Sequence, residues 1–228
     1  MQRKSMGLDP LFFLAERQAT DYARFPQKIG SEELPLRGVL TANDVEKRVR
    51  ELRALDVDAY VSSAVQPTED PNRPGARWVI ERLGGTVQRE VDMGPLYAAE
   101  IVLDFGEGIR RRIGLLGQER SRRNGIWMPE HHLRAAAIIR QYARRGLPIV
   151  TLLDTPGADA GETANRNNQA HSISRLIAEF AQLHVPTVGV IIGCGYSGGA
   201  IPLATTNLLL CVRDGVFNTI QPRGLAGI

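Results

Sequence analysis

The sequence predicts an α/β fold in which amphipathic helices are layered on a sheet of mostly buried strands. From residue 96 onward, amphipathic segments alternate with short apolar runs rich in branched residues, a pattern typical of helices that cover a sheet. Two of these apolar runs lead into turns of small residues, at residues 155–158 and 197–200. The 228 residues are 43% hydrophobic and 23% charged, which is enough apolar material for a globular core.

The first 95 residues are predicted to form an irregular, partly helical extension. Prolines and glycines interrupt them, most densely at "QPTEDPNRPG" (residues 66–75). Short helices are expected over residues 41–55 and 76–83 from the spacing of their apolar residues. We therefore divide the chain into an accessory segment over residues 1–95, in which no chemistry is evident, and an α/β domain over residues 96–228.

The α/β domain is predicted to begin with a β-hairpin over residues 99–119 that turns at "GEG". A helix follows over residues 129–146, with its apolar residues on one face and Gly146 at its end. The run "LPIVTLLD" (residues 147–154) is short, apolar and rich in branched residues. It is therefore expected to be a buried strand.

The second half of the domain repeats this alternation. An amphipathic helix is predicted over residues 166–183 and a buried strand over residues 185–193. A helix beginning at about Gly198 comes next, and two short strands are expected within residues 207–212 and 216–220.

Arginine dominates the basic residues, because only three of the 28 are lysines (Lys4, Lys28 and Lys47). This bias has two interpretations, a GC-rich genome or the recognition of anions by the planar guanidinium group. We do not expect nucleic acid as a partner, since no aromatic residues alternate with the arginines and no nucleic-acid-binding motif occurs. A phosphorylated small ligand is at least as good a candidate. The densest cluster comprises Arg110, Arg111, Arg112, Arg120, Arg122 and Arg123.

The two cysteines, Cys194 and Cys211, are too few and too far apart for a zinc site or a disulfide framework, and both are expected to be buried. No His-Glu-x-x-His pattern occurs, so we expect no metal in this chain. No apolar run reaches the roughly 18 residues of a membrane span, and the N-terminal apolar patch is too short for a signal peptide. These features favour a cytoplasmic protein with no membrane partner.

The segment "LLDTPGADAG" (residues 152–161) places a Thr-Pro-Gly turn directly after a buried strand. Asp-Thr-Pro-Gly also occurs in GTPases, which need a Gly-rich phosphate-binding loop ending in lysine upstream. No lysine follows Lys47, and no such loop precedes the earlier lysines. The GTPase hypothesis is therefore rejected.

The two turns of small residues are expected to lie together, because they follow strands whose carboxyl ends form one edge of the sheet. Pro202 predicts that the helix after the second turn begins a few residues before this proline. The N–H groups of Gly199 and Ala200 would then lie in the first turn, without intrahelical acceptors, and could hold a developing oxyanion. The alternative is that Gly198 and Gly199 only allow close packing.

Four segments of the α/β domain form a set of spaced motifs: "GLLGQERSRRNGIWMPEHHLRAA" (114–136), "DTPGA" (154–158), "ANRNNQAHSISRLIAEFAQLHVPTVGVIIGCGYSGGA" (164–200) and "IQPRGLAGI" (220–228). These segments resemble the α subunit of bacterial acetyl-CoA carboxylase carboxyltransferase, within the crotonase-like superfamily. The resemblance covers roughly residues 96–228 and is specific, because several spaced motifs agree in order, whereas residues 1–95 match poorly.

The resemblance implies a crotonase-like α/β fold and a carboxyltransferase that moves carboxylate from carboxybiotin to acetyl-CoA or a related acyl-CoA. It implies paired backbone N–H groups as the catalytic machinery. The cofactor would be biotin on a separate biotin carboxyl carrier protein. The partner would be a β-type carboxyltransferase half that supplies the acyl-CoA side, in a homo- or hetero-oligomer.

The resemblance also implies the site residues. The catalytic positions would be Gly198, Gly199 and Ala200, in an oxyanion hole on the biotin side. The substrate-binding positions would be Gly157, Ala158, Gly195, Tyr196, Arg120, Arg123 and Asn124.

Two departures from the family pattern leave alternatives open. Cys194 and Tyr196 stand where an acidic residue and a glycine are more usual, so the pocket wall and the substrate are expected to differ. The chain stops at Ile228, where the family continues, so the domain is expected to be incomplete at its C-terminus. A malonate decarboxylase subunit and a non-catalytic scaffold that binds a carboxylase partner remain alternatives, although the retained small residues argue against a scaffold.

Overall fold

The computed structural model describes residues 43, 46–47, 50, 54 and 56–221. The chain forms two compact units, Met1–Tyr60 and Val61–Ile228. In the first unit, helix α1 spans Val57–Tyr60. Most of the helix predicted over residues 41–55 lies outside the described residues, and those of its residues that are described are exposed. Of the helices in the described part of the chain, none is both long and apolar enough to cross a lipid bilayer.

The second unit contains a seven-stranded mixed sheet in the order β1-β2-β3-β4-β5-β6, with β7 also paired to β5. The first three strands are antiparallel and the others join in parallel, as expected when helices connect them. The strands are β1 (Thr86–Met93), β2 (Leu96–Asp104), β3 (Arg110–Gln118), β4 (Ile149–Thr155), β5 (Thr187–Tyr196), β6 (Leu208–Cys211) and β7 (Val216–Asn218).

The helices of this unit lie before, between and after the strands. A π-helix (Val61–Val65) and α2 (Gln66–Glu69) precede α3 (Ala76–Arg82). The later helices are a 3-10 turn (Arg123–Gly125), α4 (Pro129–Arg144), α5 (Glu162–Arg166), α6 (Gln169–Ala181) and α7 (Ser197–Ala204).

The core has two parts because successive strand residues point to opposite faces of the sheet. On one face, α4, α6 and α7 bury Ile139, Leu176 and Leu203 against the strands. On the other face, α3 buries Ala76 and Ile80. Helices on both faces of a mixed sheet confirm the predicted layered α/β fold.

Most of the predicted elements are confirmed. In the hairpin, β2 pairs with β3, from Leu96 opposite Gln118 to Asp104 opposite Arg110. Positive φ angles at Gly106 and Gly108 close its turn, as the sequence predicted. Helix α4 buries the predicted apolar face, and α6 buries Leu176 and Phe180 of its predicted stripe.

Strand β5 begins and ends later than the predicted strand over residues 185–193, since it spans Thr187–Tyr196. It continues through Cys194 and Gly195 to Tyr196, and α7 begins directly at Ser197. The extension pairs with β7, where Cys194 faces Val216 and Tyr196 faces Asn218. Because this pairing is long-range, the local pattern of glycines did not reveal it.

Residues 76–93, which the sequence analysis assigned to the accessory segment, contribute α3 and β1 to the second unit. Strand β1 pairs with β2 from Thr86 to Met93, with one irregularity between Val87 and Arg89, and Ala76 is completely buried. The division of the chain by role at residue 95 stays a prediction.

The two cysteines differ in environment. Cys194 is buried, as expected, whereas Cys211 is exposed, so that expectation was wrong. Cys211 ends β6, the last strand in the sheet order, and all four β6 side chains are exposed. Because β6 is an edge strand that no described element covers, the side chain of Cys211 stays in contact with solvent.

We expect the buried imidazole of His132 to make the protein less stable in weak acid. His132 is 0% exposed, its Nδ1 lies 3.1 Å from the Met128 carbonyl oxygen, and its ring meets Trp127 edge-on. Burial lowers the pKa of His132 to about 4. The unfolded chain, with an ordinary pKa near 6.5, therefore binds the proton more readily, and stability is lost as the pH falls from about 6.5 to about 4.

The loss should approach roughly 3 kcal/mol below pH 4, given about 1.36 kcal/mol for each pKa unit. Urea unfolding at a series of pH values measures it, and a His132→Gln variant is the control because it cannot take up this proton. Equal pH slopes for the two proteins between pH 6.5 and 4 would contradict the prediction.

Candidate active site

The candidate site lies where β3, β4 and β5 end. These three strands are parallel neighbours and end at Gln118, Thr155 and Tyr196, so the segments that follow them meet at one edge of the sheet. The predicted turns of small residues follow β4 and β5, and the arginine-rich segment follows β3. The fold therefore brings together the three segments that the sequence indicated.

The two turns of small residues are in direct contact. A Cβ placed on Gly199 would lie 2.4 Å from the carbonyl carbon of Gly157 and 2.7 Å from the backbone nitrogen of Ala158. Only glycine fits at position 199, since backbone atoms cannot swing aside. Gly157 itself has a φ of 139°, a backbone conformation that favours glycine. The glycines thus do allow close packing, as the alternative hypothesis proposed for this stretch.

Packing does not account for the whole of the first turn of α7. Ser197 is exposed and has a positive φ of 55°, which turns the chain sharply from strand into helix. Gly198 is half-buried, and a Cβ there would meet only the Ile173 side chain, at 3.5 Å. The N–H groups of Ser197, Gly198 and Gly199 belong to a first turn that has no intrahelical acceptor for them. This turn can therefore present backbone donors at an open face.

Ala200 occupies a different position from the one the sequence predicted. Because α7 begins at Ser197, Ala200 is its fourth residue, and its N–H has the Tyr196 carbonyl as regular helical acceptor. Ala200 is 0% exposed and belongs to the core cluster. Its small side chain therefore serves packing, and the N–H groups without a helical acceptor are those of residues 197–199.

Gln118 joins the two turns through its side-chain amide. Its Nε2 donates to the carbonyl oxygen of Gly199 at 2.8 Å, and its Oε1 accepts from the backbone N–H of Asp154 at 3.1 Å. The side chain is 0% exposed. Gln118 therefore sets the spacing between the end of β4 and the first turn of α7.

Arg120 is already paired inside the protein. It is 9% exposed, and its Nη1 donates to Asp154 Oδ1 at 2.9 Å and lies 3.6 Å from the Cys194 sulfur. Asp154 Oδ1 also accepts from the backbone N–H of Cys194 at 3.1 Å. The predicted ligand-binding arginine thus ties the segment after β3 to the ends of β4 and β5.

Cys194 is not a reactive thiol in this environment. Burial and the neighbouring Asp154 carboxylate raise the pKa of Cys194 to about 12, so the thiol stays protonated at neutral pH. Burial also raises the pKa of Asp154, although Arg120 opposes that shift. The buried cluster therefore supports the site's shape and supplies no nucleophile.

Arg123 and Asn124 lie on the surface beside the Thr-Pro-Gly turn. Both have positive φ angles, and Arg123 pairs with Asp159 at 3.0 Å, just beyond the Thr-Pro-Gly turn. Gly125 follows them, and a Cβ there would lie 2.0 Å from the Asp154 carbonyl oxygen, so only glycine fits. The arginine-rich segment is thus fastened over the end of β4 with Arg123 and Asn124 outward.

The remaining two predicted positions are buried. Tyr196 is 1% exposed, and Gly195 lies against Phe217, to which an added Cβ would come within 2.9 Å. They shape the strand end beneath the turns. In the described part of the chain, no group of three or more His, Cys, Asp or Glu side chains could hold a metal ion.

Sequence reasoning missed Gln118, Asp154 and Asp159 as members of this constellation. Gln118 and Asp154 are polar residues that directly follow apolar, buried stretches at the ends of β3 and β4, and a sequence-based search could have used that position. Their partners are 30 or more residues away along the chain, so spacing alone could not pair them.

Comparison with known proteins confirms the resemblance. The family model described as "Acetyl co-enzyme A carboxylase carboxyltransferase-like" matches residues 111–228, just over half of the chain. A curated acetyl-coenzyme A carboxylase carboxyl transferase subunit alpha from Halorhodospira halophila is 37% identical over 176 residues, covering 72% of this chain and 54% of the relative. The corresponding Rhodospirillum centenum subunit is 34% identical over 198 residues, covering 80% and 61%. The chain therefore spans little more than half the length of these relatives.

Solved structures share the fold at low sequence identity. Transcarboxylase 12S aligns with a TM-score of 0.61 and 16% identity over 71% of this chain and 34% of that chain. The Pseudomonas malonate decarboxylase MdcD-MdcE hetero-dimer aligns with a TM-score of 0.56 and 20% identity, over 68% of each chain. The crotonase-like fold expected from the sequence is confirmed.

Proposed function

Because this chain belongs to the acetyl-CoA carboxylase carboxyltransferase-like family, we propose that it is the α-type half of a biotin-dependent acyl-CoA carboxyltransferase. The observation that carries the proposal is the first turn of α7, where small residues leave backbone N–H groups at an open face beside a second tight turn. We further propose that the acting residues lie within residues 96–228, with residues 1–95 in an accessory role.

The first turn of α7 fits the carboxybiotin side of such a reaction. The amides of Gly198 and Gly199 donate to the oxygen on which negative charge develops, and the N-terminal end of the helix dipole favours that charge. Gly198 has no side chain to block the approach, and Ala200 keeps the turn packed on the core. When bound, carboxybiotin supplies the carboxylate that is transferred.

The other predicted residues position this turn or border it. Gly157 and Ala158 support Gly199 from one side, and Gln118 holds its carbonyl from the other. Arg123 and Asn124 face outward beside the turn, where they can contact the ligand or its carrier protein. Arg120, Gly195 and Tyr196 are buried, and they shape the strand ends that carry the two turns.

A partner surface is needed for the rest of the reaction. The sheet ends at β6, where Leu208, Leu209 and Leu210 are exposed, and Phe217 and Ile220 nearby along the chain are exposed as well. Apolar side chains at a sheet edge favour association. We propose that a β-type half covers this edge and brings the acyl-CoA, while biotin arrives on a carrier protein.

The proposal predicts that the 228-residue chain alone does not form malonyl-CoA from carboxybiotin and acetyl-CoA. The chain contains one site at which a turn can offer backbone N–H donors. The site that binds the acyl-CoA belongs to the β-type half. Activity should appear when a β-type half is co-expressed and co-purified with it. Malonyl-CoA formation by the chain alone would contradict the division of roles. Biotin-independent decarboxylation of a malonyl thioester by the assembled pair would instead favour a malonate decarboxylase subunit.

A further inference from the structure

A groove of about 320 Å³ lies between strand β1 and helix α4, apart from the turns of the candidate active site. A cavity of this size can hold a small ligand. The side chains of Val91, Ile138 and Tyr142 give it apolar walls, and Gln141 and charged side chains complete its lining. None of the residues that carry the proposed reaction belongs to it.

The buried carboxylate of the groove is fully engaged. Glu100 is 1% exposed, and both of its oxygens accept from Arg145, one of them at 2.8 Å from Nη2. The Nε of Arg112 lies 3.4 Å from the same oxygen. The two guanidinium groups therefore more than balance the single negative charge of Glu100.

Two further arginines in the groove have no such partner. Arg89 lies opposite Glu100 in the β1–β2 register, and Arg134 projects from α4. Among residues 56–221, neither arginine side chain makes an ion pair or a hydrogen bond. The remaining acidic residue of the groove, Glu90, binds Arg77 at 2.9 Å. Positive charge is therefore in excess.

We propose that this groove binds a small anion of the phosphate class, held by Arg89 from the strand wall and Arg134 from the helix wall. Guanidinium groups match phosphate oxygens through paired N–H donors, and the excess of positive charge in a concave site concentrates anions there. The apolar walls strengthen these contacts because they exclude part of the solvent. The inference does not depend on the proposed carboxyltransferase function.

Calorimetric titration of the full 228-residue chain with pyrophosphate, at low salt, tests the proposal. We expect one site with a Kd of about 1 mM or tighter. The double variant Arg89→Gln/Arg134→Gln should bind at least about 100-fold more weakly, since each of the two lost charge-assisted contacts is worth about a factor of ten or more. The matched control is Arg144→Gln/Arg213→Gln, which removes the same charge from exposed positions outside the groove.

The control should keep the wild-type affinity within about twofold, and pyrophosphate should raise the melting temperature of the wild type and control but not of the double variant. Equal weakening in both double variants would show that net charge alone attracts the anion, which would overturn the proposal. A wild-type chain that shows neither heat of binding nor thermal stabilisation would overturn it as well.

Discussion

Replacing Gln118 with methionine is expected to lower kcat of the assembled enzyme by about 100-fold, because small displacements of a catalytic turn have effects of this size. Gln118 donates to the Gly199 carbonyl at 2.8 Å and accepts from the backbone N–H of Asp154 at 3.1 Å. Methionine fills nearly the same space but can form neither hydrogen bond. The first turn of α7 would lose its fixed spacing from the end of β4. KM should change much less than kcat, since Gln118 is buried and does not contact the ligand.

Thr151→Val is the matched control for this prediction. Thr151 lies on β4 and, like Gln118, is buried. Its hydroxyl donates to a carbonyl of α7, that of Leu203 at 2.6 Å, which lies one helical turn further from the proposed donors than Gly199 does. Both variants should lose roughly 1–3 kcal/mol of unfolding free energy, because each leaves a buried polar group unpaired. Only Gln118→Met should lose turnover. A similar loss of turnover in both variants would show that Gln118 acts through general stability alone.

Gly199→Ala is expected to damage both stability and turnover. The added methyl group would lie 2.4 Å from the carbonyl carbon of Gly157 and 2.5 Å from its oxygen, so one of the two turns must move. Overpacking of this kind costs typically about 1–3 kcal/mol. The displaced turn should lower kcat by about 100-fold. Melting temperature and steady-state kinetics of the partner-bound enzyme measure the two effects.

Gly198→Ala separates ligand approach from packing at the neighbouring position. Its methyl group would meet only the Ile173 side chain at 3.5 Å, an ordinary contact, and alanine favours the helix by roughly 0.5–1 kcal/mol. Stability should therefore be kept or slightly raised. Turnover should nevertheless fall, because the methyl group narrows the open face of the turn. Normal turnover in Gly198→Ala would place the ligand elsewhere and refute the proposed donor turn.

The order and type of most elements, and the two turns at the edge of the sheet, could be predicted from local residue patterns. Helix α4 and strand β4 were predictable because their apolar periodicity is local, and Pro202 limited where α7 could begin. The family followed from spaced motifs within residues 114–228.

How these elements act together depends on contacts between residues that are far apart along the chain. Pairing with β7 extends β5 through Tyr196, moves the start of α7 to Ser197, and places Ala200 in the core. Arg120 turned inward because Asp154, far away in the sequence, meets it at a buried strand end. Gln118 acquired its role in the same way. Strand pairing and buried polar contacts join residues distant along the chain, so no local pattern encodes them.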